Sequence, residues 1–476
     1  LLDPERGIIA RVARPSTLRS ERPGWAEADP REWYDGVIDS IREILATTGI
    51  APEAVGAIAT TGMVPAVIVL DSAGDPLRPA ILQNDGRAVE EIGAMAAELG
   101  DLDVLTLTGS AISQQWVGPT ARWLARHEPE VWAAATTVLG SYDWILTALG
   151  APPHVELNWA IESGLAALDG EPVDVLLDAA GIPSRLIPPT RAPGDIAGEL
   201  SARAAEVTGL VAGTPLVVGG ADHVLSAYAA GVESAGDWLI KLGGAGDVLV
   251  AADRPVTDSR LYLDAHPVPG RWLPNGCMAT SGSLIRWLQS ITGAVDPAQL
   301  DAEALQRRPA DLLCLPYFLG EKSPLHDPEL RGAFAGLHLG HTRADLHRAV
   351  LEGIAFGFRH HAEVFAEIGI PMSRVMVTNG GSRSTLWKQI HAEVLDTELL
   401  PVVDHPGASL GAAIIAAIGV SALPGWTSSE RFLALGDPVR PDPAHVEIYR
   451  DAYERWRDLG QAVAPISHAL VRRSGR

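Results

Sequence analysis

A single carboxylate follows an apolar run and two glycines in residues 216–223, Leu-Val-Val-Gly-Gly-Ala-Asp-His. An Ala-rich segment then continues to Gly231. The pattern predicts a strand, a tight turn and a helix, with Asp222 at the start of the helix. Because glycines let a backbone approach a ligand closely, this carboxylate could face a bound molecule. The alternative is that Asp222 only caps its helix, as N-cap aspartates often do.

Two further Gly-rich segments could bind a nucleotide. Residues 243–246, Gly-Gly-Ala-Gly, follow a predicted strand, and their backbone N–H groups could face an anion; a plain hairpin turn is the alternative. The segment lacks the third glycine of a dinucleotide fingerprint, and the chain contains no Walker-type motif. Residues 379–382, Asn-Gly-Gly-Ser, lie between a strand and a helix, where a nucleotide could approach the backbone or a simple connecting loop could pass. A third Gly-rich segment, 407–413, opens a helix, and there we favour close helix packing over binding.

Histidines and cysteines predict no metal centre. His223, His391 and His405 show no ligand spacing and are interpreted as surface or core residues. No Ser-His-Asp set is readable. Cys277 and Cys314 lie in apolar surroundings, which argues against a disulfide framework and a structural zinc site.

Composition limits the classes of partner. The chain has 476 residues, 47% of them hydrophobic, which predicts two or three domains. Its net charge is −22 and no Lys/Arg tract occurs, so nucleic acid is not an expected partner. Without a long apolar run or a signal-peptide pattern, we predict no membrane partner and a cytoplasmic location. Leu1 begins what reads as the middle of a β-hairpin, so we expect a short segment upstream of it.

Hydrophobic periodicity predicts strands and helices in two successive halves. A hairpin is predicted at 67–77 and strands at 238–242, 248–251 and 375–378. Helices are predicted near 30–48, 87–98, 119–126, 197–208, 281–292, 342–368, 385–396, 408–418 and 443–464. Strands followed by helices in each half indicate two related α/β domains with a cleft between them.

A longer motif then carries a family resemblance. The run Gly-Ala-Phe-Ala-Gly-Leu at 332–337, Asp-Leu at 345–346 and Ala-Val-Leu-Glu at 349–352 resembles the second signature of the FGGY carbohydrate kinases at all its fixed positions. Five other segments resemble stretches of the same family: 24–30 (Gly-Trp-Ala-Glu-Ala-Asp-Pro), 78–87, 219–222, 320–324 (Gly-Glu-Lys-Ser-Pro) and 379–381. The resemblance covers nearly the whole chain.

The resemblance implies an α/β fold of two actin-like (ribonuclease-H-like) ATPase domains, with ATP and sugar meeting in an interdomain cleft. Residues 1–232 would form the N-terminal sugar-binding domain, without the family's first strand and first phosphate loop. Residues 233–476 would form the C-terminal nucleotide-binding domain. ATP and Mg²⁺ are the implied cofactors, and a homodimer is a possible assembly.

The same resemblance implies the site residues. Asp222 corresponds to the family's general base for the attacking sugar hydroxyl. The expected ATP-binding residues are Gly243, Gly244, Ala245, Gly246, Gly380, Gly381 and Ser382. The expected substrate-binding residues are Met63, Val64, Pro65, Gln83, Asn84, Gln115 and Asp222. No metal ligand is identified.

Departures from the family pattern leave the substrate open. The second phosphate loop has Gly244 and Ala245 where the family usually carries Thr and Ser. Met-Val-Pro-Ala at 63–66 replaces the Gln-Met-His-Gly of xylulokinase-type members, and glycerol kinases have Arg-Glu at the positions of Val64 and Pro65, so glycerol is not expected. We predict ATP-dependent phosphorylation of a ketopentose such as xylulose. The alternatives are a kinase for another polyol, ketose or sugar acid, and a catalytically lapsed sugar- and ATP-binding sensor.

Overall fold

A computed structural model describes residues 1–293 and 295–474 of the chain. The chain packs as two compact units. Unit 1 comprises Leu1–Gly231, Leu263–Trp272 and Pro406–Phe432; unit 2 comprises Val232–Tyr262, Leu273–His405 and Leu433–Arg476. The proposed domain ranges, 1–232 and 233–476, stay a prediction, and the second also covers residues 294 and 475–476, which lie outside the described ranges.

The described strands are, in chain order, β1 Leu2–Asp3, β2 Gly7–Ile8, β3 Glu27–Ala28, β4 Ile58–Gly62, β5 Ile68–Leu70, β6 Ala80–Ile81, β7 Thr137–Leu139, β8 Val155–Glu156, β9 Thr190–Arg191, β10 Ile196–Glu199, β11 Pro215–Ala221, β12 Asp237–Leu242, β13 Gly246–Val250, β14 Tyr262–Ala265, β15 Trp272–Met278, β16 Leu313–Leu315, β17 Ala333–Ala335, β18 Arg374–Thr378 and β19 Leu399–Pro401.

The described helices are α1 Pro30–Thr48, α2 Val89–Leu99, α3 Val104–Thr108, α4 Val117–His127, α5 Pro129–Ala134, α6 Ser141–Leu149, α7 Leu157–Glu162, α8 Asp174–Ala180, α9 Ala202–Thr208, α10 Asp222–Ala229, α11 Gly282–Ile291, α12 Pro297–Leu305, α13 Arg343–Glu367, α14 Thr385–Leu395, α15 Ala408–Gly419 and α16 Pro443–Ser474. Short 3₁₀ helices occupy Pro52–Ala54, Ser184–Leu186, Gly380–Arg383 and Trp426–Phe432.

Unit 1 is organised around β11, which pairs with β10 on one side and with β4 on the other. The β11–β4 pair is parallel, with Gly220 opposite Thr61 and Ala221 opposite Gly62. Strand β11 is apolar and buried from Leu216 onward, as expected for a strand covered on both faces. Helices α6 and α15 pack against this sheet, and α10 packs against α15.

Unit 2 is organised around β12, which pairs antiparallel with β13 and parallel with β18. Strand β15 extends the sheet beyond β13, and β19 extends it beyond β18. The long helix α13 packs against α14, and its first turn is closed by a capping box between Thr342 and Asp345. Because the box pairs two otherwise unsatisfied N–H groups, it explains where this helix begins.

Most predicted elements are confirmed within a few residues, and the reasons are local. Helix α1 begins at Pro30 as predicted, with the Asp29 side chain accepting a hydrogen bond from the Arg31 N–H, and ends at Gly49 with a φ of 66°. The prediction of one helix at 197–208 is wrong in its first part. Residues Ile196–Glu199 form β10, because they pair with β11, and the helix starts only after the N-cap Ser201.

The C-terminal helix also differs from expectation. It was predicted at 443–464 but continues to Ser474, through Pro465 inside the helix. Cys277 and Cys314 are free cysteines. Among the described residues, no helix combines the length and the apolar character that a membrane span requires.

Candidate active site

Asp222 lies at the carboxyl edge of the parallel strand pair in unit 1. Ala221 is paired with Gly62 at the ends of β11 and β4, so Asp222 and Met63 are the next residues along two neighbouring strands. Ligand sites in parallel α/β sheets form at such carboxyl ends. The structure therefore brings together two of the predicted substrate-binding residues, Met63 and Asp222.

The glycines before Asp222 are required by close backbone packing. A Cβ added at Gly219 would lie 1.8 Å from the carbonyl oxygen of Thr60, so only glycine fits against β4. Asp222 itself is the first residue of α10 and the N-cap is Ala221, so the alternative that Asp222 is the N-cap is wrong. Its side chain is 52% exposed, which leaves the carboxylate accessible to a ligand.

The other predicted sugar-binding residues occupy different environments. Val64 and Pro65 are buried after β4, whereas Met63 is partly exposed and its carbonyl accepts a hydrogen bond from Ser141 Oγ at 2.9 Å. Gln83 is half-buried and Asn84 is exposed in the turn after β6; Gln115 is half-buried in the segment before α4. Their assignment to a sugar site stays a prediction.

Two motifs of the family resemblance hold each other in place in unit 1. The guanidinium of Arg87 is buried and forms a two-point ion pair with Asp85, at 2.8 and 2.7 Å. It also contacts Glu27 at 2.8 Å and lies 3.8 Å from the ring centroid of Trp25. A buried arginine paired with two carboxylates fixes its neighbours in one geometry, so these segments support the fold locally.

Sequence reasoning missed the surroundings of His223. This side chain lies between carboxylates from three segments: Nε2 is 2.7 Å from Asp264 Oδ2 and 3.9 Å from Glu162 Oε1, and Nδ1 is 3.6 Å from Asp222 Oδ1. His223 is half-buried, between the surface and core positions expected for it, and its carboxylate neighbours were not predicted. Asp264 is 41 residues away in the chain, so no local spacing could reveal the cluster. His391 is a core residue as predicted, with Nδ1 2.8 Å from the Trp387 carbonyl oxygen.

Unit 2 repeats the same arrangement at the carboxyl edge of its own parallel pair. Lys241 of β12 is paired with Thr378 of β18, and the two Gly-rich loops follow these residues directly. The loops are in contact, since a Cβ added at Gly243 would lie 3.2 Å from Asn379 Nδ2. The predicted ATP-binding residues at 243–246 and 380–382 are thus neighbours.

Loop 243–246 is both a hairpin turn and an anion-compatible surface. It connects the antiparallel strands β12 and β13, so the hairpin alternative describes its shape correctly. The carbonyls of Gly243 and Gly244 accept hydrogen bonds from the N–H groups of Gly282 and Ser283, at 2.8 and 3.0 Å. The outward N–H groups of such a turn can donate to phosphate oxygens.

A cation beside this loop was not predicted from the sequence. The guanidinium of Arg286, on α11, lies 3.2 Å from the position of a Cβ added at Gly244. Arg286 is exposed. Arginine donates several N–H groups in a fixed plane and suits phosphate recognition, so it strengthens the assignment of this loop to a polyphosphate.

The glycines of the second loop differ in what surrounds them. A Cβ at Gly381 would lie 2.2 Å from Trp387 Cζ3 and 2.7 Å from Leu242 Cβ, so this glycine is required by packing. A Cβ at Gly380 would meet no atom within 4 Å. Gly380 therefore borders the open side of the loop, and Ser382 Oγ donates to the Asn379 carbonyl at 2.7 Å. Substitution of Gly381 would disturb the fold and could not test nucleotide binding.

The third Gly-rich segment packs as predicted. A Cβ at Gly411, on α15, would lie 2.3 Å from the carbonyl oxygen of Leu225 on α10. The helices approach so closely that only glycine fits at this contact.

Glu352, the last residue of the signature at 332–352, has a structural role. Glu352 is buried on α13, where its carboxylate accepts hydrogen bonds from Arg348 Nε and from the hydroxyl of Tyr449 on α16, each at 2.8 Å. Burial raises the pKa of Glu352 to about 7. This glutamate joins two helices of unit 2 and is not exposed to a ligand.

Glu321, in the segment 320–324, leads to a prediction about pH. Burial raises its pKa to about 7, while the Ala279 and Lys322 N–H groups each donate to Oε1 at 2.8 Å. The folded state thus holds the Glu321 carboxyl proton more tightly than the unfolded state does. The stability that Glu321 contributes is therefore present below its unfolded pKa, about 4.5. It is lost as pH rises through about 7. Glu321→Gln, whose Oε1 still accepts both bonds, should therefore be less destabilised by alkaline pH than the wild type, by at most about 3 kcal/mol.

Urea unfolding at pH 5 and at pH 8 measures this effect. The comparison uses the change in unfolding free energy between the two pH values, so packing costs that do not depend on pH cancel. Glu329→Gln, at a half-buried carboxylate in the same region, is the control and should change with pH as the wild type does. An identical pH response in Glu321→Gln and the wild type would contradict the raised pKa.

Among the described residues, neither cluster of possible metal ligands has the all-oxygen donor set that Mg²⁺ prefers. Two groups of side chains lie close enough to share an ion: Asp311, His338 and His341, and Glu162, His223 and Asp264. Both include histidine, whereas Mg²⁺ takes oxygen ligands and keeps several of its waters. Proteins usually bind Mg²⁺ through one or two carboxylates together with substrate phosphates, so a dedicated protein cage would not be required.

Comparison with known proteins gives consistent matches over nearly the whole chain. The N-terminal domain model of the FGGY family of carbohydrate kinases matches residues 1–229, and the C-terminal domain model matches residues 240–420. The xylulose kinase of Staphylococcus epidermidis is 28% identical over 475 residues, with 98% of this chain and 94% of the relative covered. The L-xylulose/3-keto-L-gulonate kinase of Escherichia coli is 30% identical over 484 residues, with 96% and 93% covered.

A solved structure agrees in fold. The xylulose kinase from Rhodospirillum rubrum superimposes with a TM-score of 0.90 at 42% sequence identity, covering 96% of this chain and 94% of that structure. The two domain models, the length of the matches and this superposition confirm the two-domain actin-like α/β fold predicted from the signature at 332–352. The chain belongs to the FGGY family of carbohydrate kinases.

Proposed function

We propose that this carbohydrate kinase phosphorylates a ketopentose such as xylulose, with Asp222 as the general base. The observation that carries the proposal is the position of Asp222: a half-exposed carboxylate at the carboxyl edge of the parallel pair formed by β11 and β4. A base must reach the proton that it removes, and a rigid strand end holds it in one place.

The transfer uses ATP with Mg²⁺, as in this family of kinases. The magnesium ion neutralises phosphate charge when it is bound with the nucleotide. Turn 243–246 offers backbone N–H groups to the phosphates, and Arg286 adds a cation beside Gly244. These groups position the nucleotide, which is most of what phosphoryl transfer requires of a protein.

In the proposed step, a sugar hydroxyl oxygen forms a bond to the γ-phosphorus while the bond to the β,γ-bridging oxygen breaks. That oxygen keeps the electron pair and leaves as part of ADP. Asp222 accepts the hydroxyl proton late in the transfer, when the oxygen has become acidic. The turn lacks the two hydroxyls that the family usually carries there, because Gly244 and Ala245 have none. Backbone donors and Arg286 would compensate.

The substrate class rests on the relatives. Xylulose kinases from S. epidermidis and R. rubrum align over nearly the whole chain, which supports xylulose as the first substrate to test. The E. coli relative is named for L-xylulose and 3-keto-L-gulonate, which supports a sugar acid as the second candidate. Another polyol, a lapsed sugar- and ATP-binding sensor, a homodimer and a cytoplasmic location stay predictions for this chain.

ADP release across a panel of sugars tests the proposed function. The panel comprises D-xylulose, L-xylulose, 3-keto-L-gulonate, D-ribulose and glycerol, each with MgATP, and ATP alone as the background. We expect the highest kcat/KM with a xylulose and only background release with glycerol. A preference for the sugar acid would select the second candidate. If the chain binds ATP but no sugar raises ADP release above background, the result would support a sensor and overturn the kinase proposal.

A further inference from the structure

Each ring nitrogen of His223 lies close to at least one carboxylate. Nε2 lies 2.7 Å from Asp264 Oδ2, a hydrogen-bond distance, and Glu162 Oε1 is 3.9 Å from the same nitrogen. Nδ1 lies 3.6 Å from Asp222 Oδ1, which is too long for a hydrogen bond but close for two opposite charges. The ring therefore connects a buried acid to the proposed base.

Exposure falls from the base towards the interior. The side chain of Asp222 is 52% exposed, that of His223 is 23%, that of Glu162 is 18% and that of Asp264 is 3%. A buried aspartate that contacts a histidine fixes the orientation of the ring, as in hydrolytic triads. Asp264 is thus the anchor of the arrangement and Asp222 is its accessible end.

The charged groups that act on the ring are carboxylates. Helix α15 and strands β4 and β11 carry no ionisable side chain, and Glu430 and Arg431 in the segment 426–432 are exposed. The ionisable groups that face the ring or lie directly behind it include Asp222, Glu162, Asp264, Glu156, Asp143 and Tyr142. Among these, Tyr142 donates to Glu156 at 2.8 Å. The buried His266 follows Asp264 by two residues, and its ring lies 6.0 Å from that of Tyr228 on α10.

This environment favours the doubly protonated ring. A neutral imidazole would present a lone pair to one of the carboxylates, which would be repulsive, whereas an imidazolium donates to Asp264 and places a positive charge beside Asp222. Burial by itself lowers the pKa of His223, but the charge of Asp264, followed by Asp222 and Glu162, outweighs burial and raises the pKa well above its usual range. Burial and then the charge of Asp264 raise the pKa of Glu162, so its protonated form is favoured. An imidazolium has no lone pair for a metal, which argues against this cluster as a metal site.

We propose that His223 is a positioning residue for the phosphoryl transfer, an imidazolium anchored by Asp264 that orients the carboxylate of Asp222. The proposal rests on the proposed function, because it assigns a task to the base of that reaction. The positive charge attracts Oδ1 of Asp222 and so fixes the direction in which this carboxylate faces a sugar hydroxyl. Catalytic groups held in one orientation avoid the cost of finding it during each turnover.

If His223 positions Asp222, its substitution should lower kcat and leave the KM for ATP nearly unchanged. His223→Gln keeps a polar side chain of similar reach but removes the charge, so the Asp222 carboxylate loses its orientation. We expect kcat to fall roughly 10–100-fold, while the KM for ATP changes less than twofold. His127→Gln is the control, since His127 is exposed at the end of α4 and should leave both constants unchanged.

The pH profile separates this role from a purely structural one. Because the pKa of His223 is raised, the imidazolium is present at neutral pH and is lost as pH rises through that pKa, so wild-type kcat should fall on the alkaline side. Asp264→Asn removes the nearest negative charge, lowers the pKa of His223, and should move this alkaline fall to lower pH. Glu162→Gln should move it less, because Glu162 is more distant and its protonated form is favoured.

A direct titration decides the proposal even if a variant fails to fold or no sugar is phosphorylated. Nitrogen chemical shifts of the histidine rings, measured against pH in the wild type and compared with His223→Gln for assignment, report the charge of this ring. We expect both ring nitrogens of His223 to be protonated at pH 7, and we expect that state to be lost at lower pH in Asp264→Asn. A ring that is neutral at pH 7, or a His223→Gln enzyme with wild-type kcat, would overturn the proposal. A wild-type chain that phosphorylates no sugar would overturn the proposed function and leave the titration result in place.

Discussion

Replacement of Asp222 by asparagine should lower kcat by roughly 10²–10⁴-fold, the usual effect of losing a general base. Asparagine has the same shape but cannot accept the hydroxyl proton. Because Asp222 is half-exposed and is not the N-cap residue of α10, the variant should fold normally. The KM for ATP should change little, since the predicted nucleotide loops lie in unit 2.

Asp174→Asn is the matched control. Asp174 is also the first residue of a helix and makes no N-cap bond, so its substitution tests the loss of charge near a helix N-terminus alone. It should leave kcat unchanged. Circular dichroism and thermal unfolding verify that both variants are folded. A folded Asp222→Asn enzyme that turns over near the wild-type rate would refute the general-base assignment.

Gly380→Val should raise the KM for ATP by roughly 10–100-fold, in line with the 1–3 kcal/mol by which small changes in shape alter binding. A Cβ at Gly380 meets no protein atom within 4 Å, so the branched side chain projects into the space where the nucleotide is expected to approach the loop. Stability should therefore be nearly unchanged. The KM for the sugar should stay within twofold of the wild type, and kcat should be affected less than KM for ATP.

The control for this prediction is Gly56→Val. Gly56 also has no atom within 4 Å of an added Cβ, and it lies in unit 1 before β4. Steady-state kinetics with each substrate varied in turn provides the comparison. Equal increases in both KM values, or an unchanged KM for ATP in Gly380→Val, would contradict the assignment of residues 380–382 to nucleotide binding.

Local sequence patterns predicted the fold well wherever neighbouring residues set the ends of a helix or strand. Asp29 and Pro30 defined the start of α1, and the apolar run of β11 followed by Asp222 defined the strand and the helix after it. The segment Ile196–Glu199 was misassigned because its pairing with β11 is a non-local contact. Helix α16 continues through Pro465 to Ser474, beyond the predicted end at 464.

The sequence predicted those parts of the candidate site that lie within one continuous segment. Each Gly-rich loop could be found in one segment of sequence, and parallel pairing then places the loops of each unit at one edge. Arg286, Asp264 and Glu162 reach these edges from other segments, so no spacing revealed them. Gly381 illustrates the opposite case, because its motif suggested binding whereas its neighbour Trp387 requires a glycine for packing.

The most direct test of the account measures ADP and sugar phosphate together in one reaction. Wild-type protein and Asp222→Asn are each incubated with MgATP and xylulose, and both products are quantified by mass spectrometry over time. The account predicts one sugar phosphate for each ADP in the wild type, with both suppressed together in Asp222→Asn. ADP formed without sugar phosphate, or sugar phosphate formed at the wild-type rate by Asp222→Asn, would contradict it.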